Sequence, residues 1–471
     1  MKRKAEKKTL DRLHVLDERG ARRYVYAAEV SGRFARLRVW VHAVLVLVYV
    51  ALPFVKVNGK PAILIDIPAR HFFLFGKTFN AQDFYLAYFL LTGIGFALIA
   101  LSALFGRVWC GWACPQTVFL DFVFRPVERF LEGNAAQRAR LAQAPWTIDK
   151  LLRKAAKHGI YVLVAFALAH VFLSYFVTMP GLLTMMRQSP SQHMTPFLWA
   201  SVMTGIFYFN FWWFREQLCT IMCPYGRLQS ALQDRDTVVI GYDRLRGEPR
   251  GKQGTPGAGD CVDCGRCVAV CPTDIDIRNG LQLECIGCTA CIDACDEIMV
   301  RLGRPTGLVR HDSERAFQGE ERRFLRPRVY GYIVAGLVGA TVATTMFIRH
   351  QPFEANLLRT SGQLPFVVDG GVLRNQYVLH VINKNTRESE LTITPRPMAG
   401  VNFIIPQAKL VLPPLGDQRA PLLVSIDRDA YRVGMTVLVQ VHDGASGEDK
   451  LLTGRVLGPP SRWPLAAERR P

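Results

Sequence analysis

Two absences shape this 471-residue chain: no cysteine follows Cys295, and no charged residue interrupts five long apolar runs. Whatever folds after Cys295 therefore does so without disulfides. The uncharged runs are residues 39–55, 84–105, 159–177, 197–214 and 329–348. Each is long enough to span a hydrocarbon core about 30 Å thick, and five such helices do not suit the core of a soluble domain. The chain also lacks a Rossmann glycine fingerprint and any flavin motif, which excludes a nicotinamide- or flavin-binding fold. Acidic residues are outnumbered 39 to 58, for a net charge of +19. The excess lies beside the apolar runs, which points to anionic lipid and away from nucleic acid.

Residues 1–38 carry twelve Lys/Arg against five Asp/Glu, with no apolar signal-peptide core, and read as a basic cytoplasmic arm. Loop 56–83 has four Lys/Arg and loop 179–196 only Arg187, whereas loop 106–157 has nine and segment 215–328 seventeen. The excess of positive charge inside then puts the N-terminus in the cytoplasm and the C-terminal region in the periplasm of a bacterium. The expected fold is a polytopic α-helical membrane protein of five spans, with a cytoplasmic two-cluster ferredoxin-like domain and a C-terminal all-β Ig-like sandwich. Its parts are the arm (1–38), a four-helix membrane region (39–240), the cluster domain (241–328), a fifth helix (329–348) and the sandwich (357–471). Small residues at Ala335, Gly336, Gly339, Ala340 and Ala343 let another helix approach the fifth one closely. The aromatic and basic segment 119–131, with Lys150, Arg153, Lys154 and Lys157, suits a membrane surface. Short apolar segments within 376–442, separated by turn residues, read as strands.

All twelve cysteines fall in patterned motifs. Residues 261–271 and 285–295 each hold three cysteines spaced by two residues and a fourth spaced by three. One short loop can then put three soft thiolates on one iron–sulfur cluster, while the fourth cysteine crosses to the other. Cys261, Cys264, Cys267 and Cys295 are assigned to one 4Fe-4S cluster, and Cys285, Cys288, Cys291 and Cys271 to a second. Zinc needs only four ligands, and disulfides do not favour such tight spacing. Residues 260–297 hold eight Asp/Glu and two Lys/Arg, which predicts low reduction potentials. Such a pair of one-electron centres is wiring, and its donor is another protein or a quinol.

The other four cysteines form two CxxxCP motifs, Cys110/Cys114 and Cys219/Cys223, offset by 109 residues. Each follows an apolar run, so the region reads as two hairpins ending at the cytoplasmic leaflet. Proline starts helices, so Cys114 and Cys223 are placed at helix starts, where the dipole favours thiolate. Four such thiols could bind Cu(I), hold another iron centre or form disulfides. His42 and His170 lie within spans and read as neutral, hydrogen-bonded side chains. Met179, Met185, Met186, His193 and Met194 in the outer loop read as packing residues with the chemistry to touch copper.

With both motifs in hand, the chain resembles the cytochrome c oxidase accessory protein family (CcoG/FixG/RdxA) over nearly its full length. The resemblance rests on the paired CxxxCP motifs, the ferredoxin-type block I-D-I-R-N-G-L-Q-L-E-C-I-G-C-T-A-C-I-D-A-C-D, the fifth span and the β-rich tail. It implies reduction of Cu(II) to Cu(I) for assembly of a cbb-type oxidase. Cys110, Cys114, Cys219 and Cys223 would be the reacting thiols, holding copper transiently. The partners it implies are oxidase assembly factors and a copper transporter, in the bacterial inner membrane. The chain is also similar to the quinol-linked membrane ferredoxins of periplasmic nitrate reductase systems, which carry CxxxCP pairs and would need no copper. The five spans and the β-domain favour the accessory family.

Overall fold

Where the sequence is apolar and uncharged it becomes helix, and where short apolar segments alternate with turn residues it becomes sheet. The computed structural model describes residues 22–80, 83–360 and 364–459, so most of the basic arm lies outside the described residues. Among the described residues four helices are long and apolar enough to cross a membrane: Arg33–Phe54, Phe84–Phe105, Ile148–Leu173 and Pro327–Ile348. Their outer faces leave Trp40, Leu47, Leu91, Leu163 and Leu337 more than half exposed, apolar surface that lipid would cover. The run at 197–214, expected as a fifth span, is a 16-residue helix, Met194–Phe209, continued by a π-helical turn, Asn210–Phe214. Mutual hydrogen bonds between the side chains of Asn210 and Gln116 hold that wider turn. The run is thus helical throughout, with a shorter regular helix than the other four.

The chain divides into two compact units, one of Met1–Val55 with Leu86–Thr344 and the other of Lys56–Tyr85 with Thr345–Pro471. This differs from the five-part division expected from sequence. In the first unit the small-residue stripe finds its partner: a Cβ on Gly339 would lie 2.8 Å from the Cα of Gly93 on Phe84–Phe105.

Segment 119–131, expected at a membrane surface, turns most of its charges inward. It forms a π-helical turn (Leu120–Phe124) and a helix (Arg125–Glu132) in which Arg125, Glu128 and Glu132 are buried while Arg129 and Phe130 stay exposed. Asp121 and Glu216 pair with Arg125, and Glu128 pairs with Arg215 at 2.6 Å and Arg138 at 3.0 Å. Lys154 and Lys157, expected to attract lipid headgroups, reach Glu132 at 2.9 and 2.8 Å, and Lys150 donates to the carbonyls of Ala142 and Ala144. Side chains this buried need partners, and Asp121, Glu128, Glu132 and the distant Glu216 supply most of them.

Residues 22–38 fold back onto the acidic cluster block. Arg23 pairs with Asp274 at 2.8 Å, and Arg266 donates to the Glu29 carbonyl at 2.7 Å. Asp293 accepts from the backbone N–H groups of Phe34 and Ala35 at 3.3 and 2.7 Å, so it caps the first long helix from across the fold.

The second unit is a β-sandwich with two antiparallel sheets. One orders Val401–Ile404, Asp417–Asp427, Val372–Asn383 and Phe353–Arg359, with Val367–Asp369 pairing onto Val372–Asn383. The other orders Lys409–Leu412, Ser389–Pro395, Thr436–Asp443 and Asp449–Arg455. Alternate residues such as Leu379, Val381, Val424, Ile426, Val439 and Val441 fill the core without a disulfide. Loop 56–83 is not a bare connection: Ile63–Asp66, His71–Leu74 and Lys77–Asn80 form an antiparallel sheet in this unit. Lys384 ties the unit together, reaching Asp83 at 2.8 Å and Glu354 at 2.9 Å.

Candidate iron–sulfur and thiol sites

The two ferredoxin motifs repeat in backbone geometry as well as in spacing. Asp263 and Gly265 in the first loop take left-handed angles (φ 54 and 66), and so do Gly287 and Thr289 in the second (φ 68 and 65). Left-handed residues alternating with ordinary ones make a concave backbone lined by N–H groups, a cradle for an anionic centre. Gly265 and Thr289 then cap the helices Arg266–Ala269 and Ala290–Arg301, which carry Cys267 and the pair Cys291/Cys295.

The fourth cysteine of each motif lines the cavity of the other motif's first three. Cys261, Cys264, Cys267 and Cys295 line one cavity with Tyr242, Ile298 and Leu308. Cys271, Cys285, Cys288 and Cys291 line a second with Ile275, Ile277 and Ile286, and Cys267 lies on the wall of both. Burial first, and then the neighbouring thiols, push Cys271 up to about 12 and raise Cys291 well above the ordinary thiol range. Burial likewise pushes Cys285 up to about 11, and Cys295 up to about 12. Four thiolates in an apolar cavity are unfavourable alone, and a polycationic iron–sulfur core offsets that cost. All eight residues fit two 4Fe-4S clusters. Among the described residues no three His, Cys, Asp or Glu side chains are grouped for a single metal ion.

The CxxxCP motifs are also brought together. Cys110 sits on the helix Val108–Trp112 and Cys219 in the π-helical turn Leu218–Met222. Cys114 and Cys223 are extended (ψ 126 and 109) and directly precede the helices Pro115–Phe119 and Pro224–Leu232, as the prolines predict. The thiols affect one another electrostatically: Cys114 and Cys223 raise Cys110, while Cys114 and Cys110 raise Cys219. All four are free thiols here. At Cys114 the expected thiolate character does not hold: burial pushes its thiol up even though the N–H groups of Gln116 and Thr117 pull it down, and burial holds Cys219 well above the ordinary thiol range. The helix start is there, but desolvation outweighs it.

The thiol site lies against the second cluster loop. Cys110 shares a buried cluster with Ile286, Cys288, Ala290 and Ala294. A Cβ on Gly111 would lie 2.7 Å from the Ile286 carbonyl oxygen and 2.8 Å from the Cys288 Cα. The Cys110 Sγ donates to the Gln229 Oε1 at 2.8 Å, and Gln229 donates in turn to Ser102 at 3.1 Å.

Sequence reasoning missed Gln229 and Arg107, the latter a buried cation whose guanidinium reaches Cys110, Cys219 and Leu283. A signal for Arg107 existed: 109 residues on, the repeat carries Glu216, so the charge reverses where the motif does not.

The histidines behave as expected in part. The His170 Nδ1 bonds the Phe166 carbonyl at 2.8 Å, whereas His42 is buried with its Nε2 unpartnered. Met185, Met186 and His193 line an apolar cavity with His170.

Three family models match parts of the chain. Residues 214–314 match a 4Fe-4S dicluster domain, residues 86–133 a 4Fe-4S binding domain, and residues 343–453 an IG-like fold at the C-terminal of FixG. The nitrogen fixation protein FixG of Rhizobium meliloti is 34% identical over 420 residues, covering 79% of this chain and 79% of its own. Protein RdxA of Cereibacter sphaeroides is 35% identical, covering 80% of this chain and 83% of its own. Protein RdxB of the same organism is 32% identical over 92% of this chain and 96% of its own.

Proposed function

The chain belongs to the FixG/RdxA family of iron–sulfur electron-transfer proteins, and from that premise we propose that it reduces Cu(II) to Cu(I) at Cys110, Cys114, Cys219 and Cys223, for assembly of a cbb-type cytochrome c oxidase. The observation that carries this reading is the contact of the Cys110–Gly111 segment with the Ile286–Cys288 loop, which leaves no room for a methyl group between them. When bound, a 4Fe-4S cluster supplies one electron at a time, and Cu(II) accepts one, so no two-electron intermediary is needed. The thiols supply soft ligands that favour Cu(I) over Cu(II), and binding the metal releases their protons. Burial favours the protonated Cys110 thiol until a cation arrives, and Gln229 holds its proton in the meantime.

Cys264 is the one exposed thiol of the eight assigned to clusters, which makes its side the point where a donor protein or quinol would deliver electrons. The cytoplasmic placement of the clusters and the periplasmic placement of the sandwich rest on the loop charges. Loop 56–85 and the tail also fold as one unit, as segments on the same side would. A reporter active only in the periplasm should work when fused after Pro471 and stay silent at Gly254; the reverse would sink this topology.

The main test replaces Cys110, Cys114, Cys219 and Cys223 with serine. The variant should keep both clusters assembled and reducible, and lose Cu(I) binding and cupric reduction with an artificial low-potential donor. Reduction of Cu(II) at the wild-type rate would refute the thiol site. A second reading has its own observation: the 4Fe-4S binding domain model covers Cys110 and Cys114, and the four thiols are not grouped for a single ion. On that reading they hold a third cluster. Purified protein would then carry about twelve irons, falling to about eight in the four-serine variant, where the copper reading has about eight in both.

A further inference from the structure

The 109-residue repeat reproduces the thiols but not the charge beside them. Arg107 stands three residues before Cys110, and Glu216 three residues before Cys219. Glu216 is taken up by Arg125 and by Arg215 at 3.5 Å. Arg107 is 6% exposed and its partners come from three separate segments. Its Nη1 donates to the Leu283 carbonyl at 2.6 Å, two residues before Cys285. Its Nη2 donates to the Cys219 carbonyl at 3.2 Å and lies 3.8 Å from the Cys110 Sγ.

The surroundings are cut to fit this residue, side chain and backbone. On the helix Pro224–Leu232, a Cβ at Gly226 would lie 2.7 Å from the Arg107 Nη2. In the cluster loop, a Cβ at Gly287 would lie 3.0 Å from the Arg107 carbonyl oxygen. Two glycines from different elements leave room for one arginine. A planar guanidinium can hold three acceptors at fixed angles, which an ammonium on a flexible stem cannot.

We propose that Arg107 is the positioning residue that couples the thiol pairs to the neighbouring cluster, making Cys110 the end of the thiol site at which electrons arrive. Its charge raises the reduction potential of the cluster held by Cys271, Cys285, Cys288 and Cys291, and its fork fixes that loop against both CxxxCP motifs. Glu216, at the matching place beside Cys219, offers no cation, so the two pairs are not interchangeable. The transfer step rests on the copper reading above; the effect on the cluster does not.

The test uses the full chain with both clusters loaded, in lipid nanodiscs, as wild type, Arg107→Gln and Arg107→Lys. Three quantities are read: iron content, the midpoint potential of the second cluster by redox-titrated EPR, and the rate at which Cu(II) reoxidises the reduced protein. Arg107→Gln should keep its iron, shift the midpoint to more negative values and, because the loop is no longer fixed against the thiols, slow reoxidation about tenfold, the low end of the loss when an outer partner of a metal site is removed. Arg107→Lys should restore the midpoint but not the rate. A wild-type midpoint in iron-replete Arg107→Gln would overturn the proposal. Should Arg107→Gln lose iron, Arg107→Lys decides. A wild-type midpoint with slowed reoxidation sustains the proposal, and a shifted midpoint or a wild-type rate overturns it. If the wild type itself passes no electron to Cu(II), the copper reading fails alone, and the midpoints still judge Arg107.

Discussion

The two cysteine repeats of this chain differ in what they repeat. In the ferredoxin block the copies lie 24 residues apart, and spacing, left-handed residues and helix starts all recur, so each half can serve both sites. In the CxxxCP pairs the copies lie 109 residues apart. The extended cysteine and the following proline helix recur, but the neighbours do not: Arg107 faces Glu216, and Gly111 faces Thr220. A short repeat whose backbone makes the site has little freedom to diverge. A long one that contributes only side chains can be polarised, one copy turned toward a donor and the other away.

The sharpest break of that comparison is Cys271→Ser. If the halves truly exchange their fourth ligand, the substitution in the first motif should destroy the cluster built on Cys285, Cys288 and Cys291. Iron should fall by about half while the cluster of Cys261, Cys264, Cys267 and Cys295 keeps its EPR signal. Loss of the latter cluster instead would show that the halves are self-contained.

The surroundings of the second repeat can be probed through acid. Burial alone would raise Glu128, but Arg215 and Lys157 outweigh it and hold its carboxyl down to about 2. The folded value lies below the unfolded one, near 4.3, so the stability it contributes is present above about pH 4.5 and is lost as pH falls toward 2. Thermal unfolding in detergent should therefore show a wild-type loss of about 3 kcal/mol across that window. Glu128→Gln should be less stable at pH 7 by roughly 3–5 kcal/mol, with most of that acid dependence gone. An unchanged pH profile in the variant would mean that the buried pairs are not what holds this region.

The smallest effect separates the two copies directly. Gly111→Ala pushes a methyl group into the Cys288 backbone and should cost about 1–3 kcal/mol and slow reoxidation of the clusters. Thr220, at the matching place, donates to the Glu216 carbonyl at 3.2 Å, and Thr220→Ala should change stability by less than about 1 kcal/mol and leave that rate alone. Equal effects on the rate would erase the asymmetry.

The sequence showed the cluster ligands plainly, because all of them sit in two local motifs whose spacing makes the geometry. Six strands of the sandwich were legible for the same reason: segments such as 376–383 and 421–426 form strands with a buried alternate face. The strands in 56–83 were passed over as a loop, although Asn58-Gly59 (φ 54 and 79), which joins the paired strands Lys56–Val57 and Lys60–Pro61, is the usual signal for a tight hairpin turn. The edge strands Phe353–Arg359 and Asp449–Arg455 are short and partly polar, and carry little pattern. The charges of 119–131 were assigned to a membrane surface because their partners, Arg215 and Glu216, come from a distant segment that no local pattern joins to them. Arg107 escaped for the same reason.

The cap that Asp293 places on the first long helix sets an order of events during synthesis. The capped residue Phe34 precedes Asp293 by 259 residues. At about 5–20 residues per second, the first apolar helix leaves the ribosome roughly 13–50 seconds before its cap exists. Through that interval its leading N–H groups lack this acceptor. Asp293 lies between Cys291 and Cys295, so the cap is in place only when the loops around the metal centres have closed. A chain starved of iron would thus carry a frayed end on its first membrane segment, a mark by which a quality-control protease could tell the unloaded protein from the loaded one.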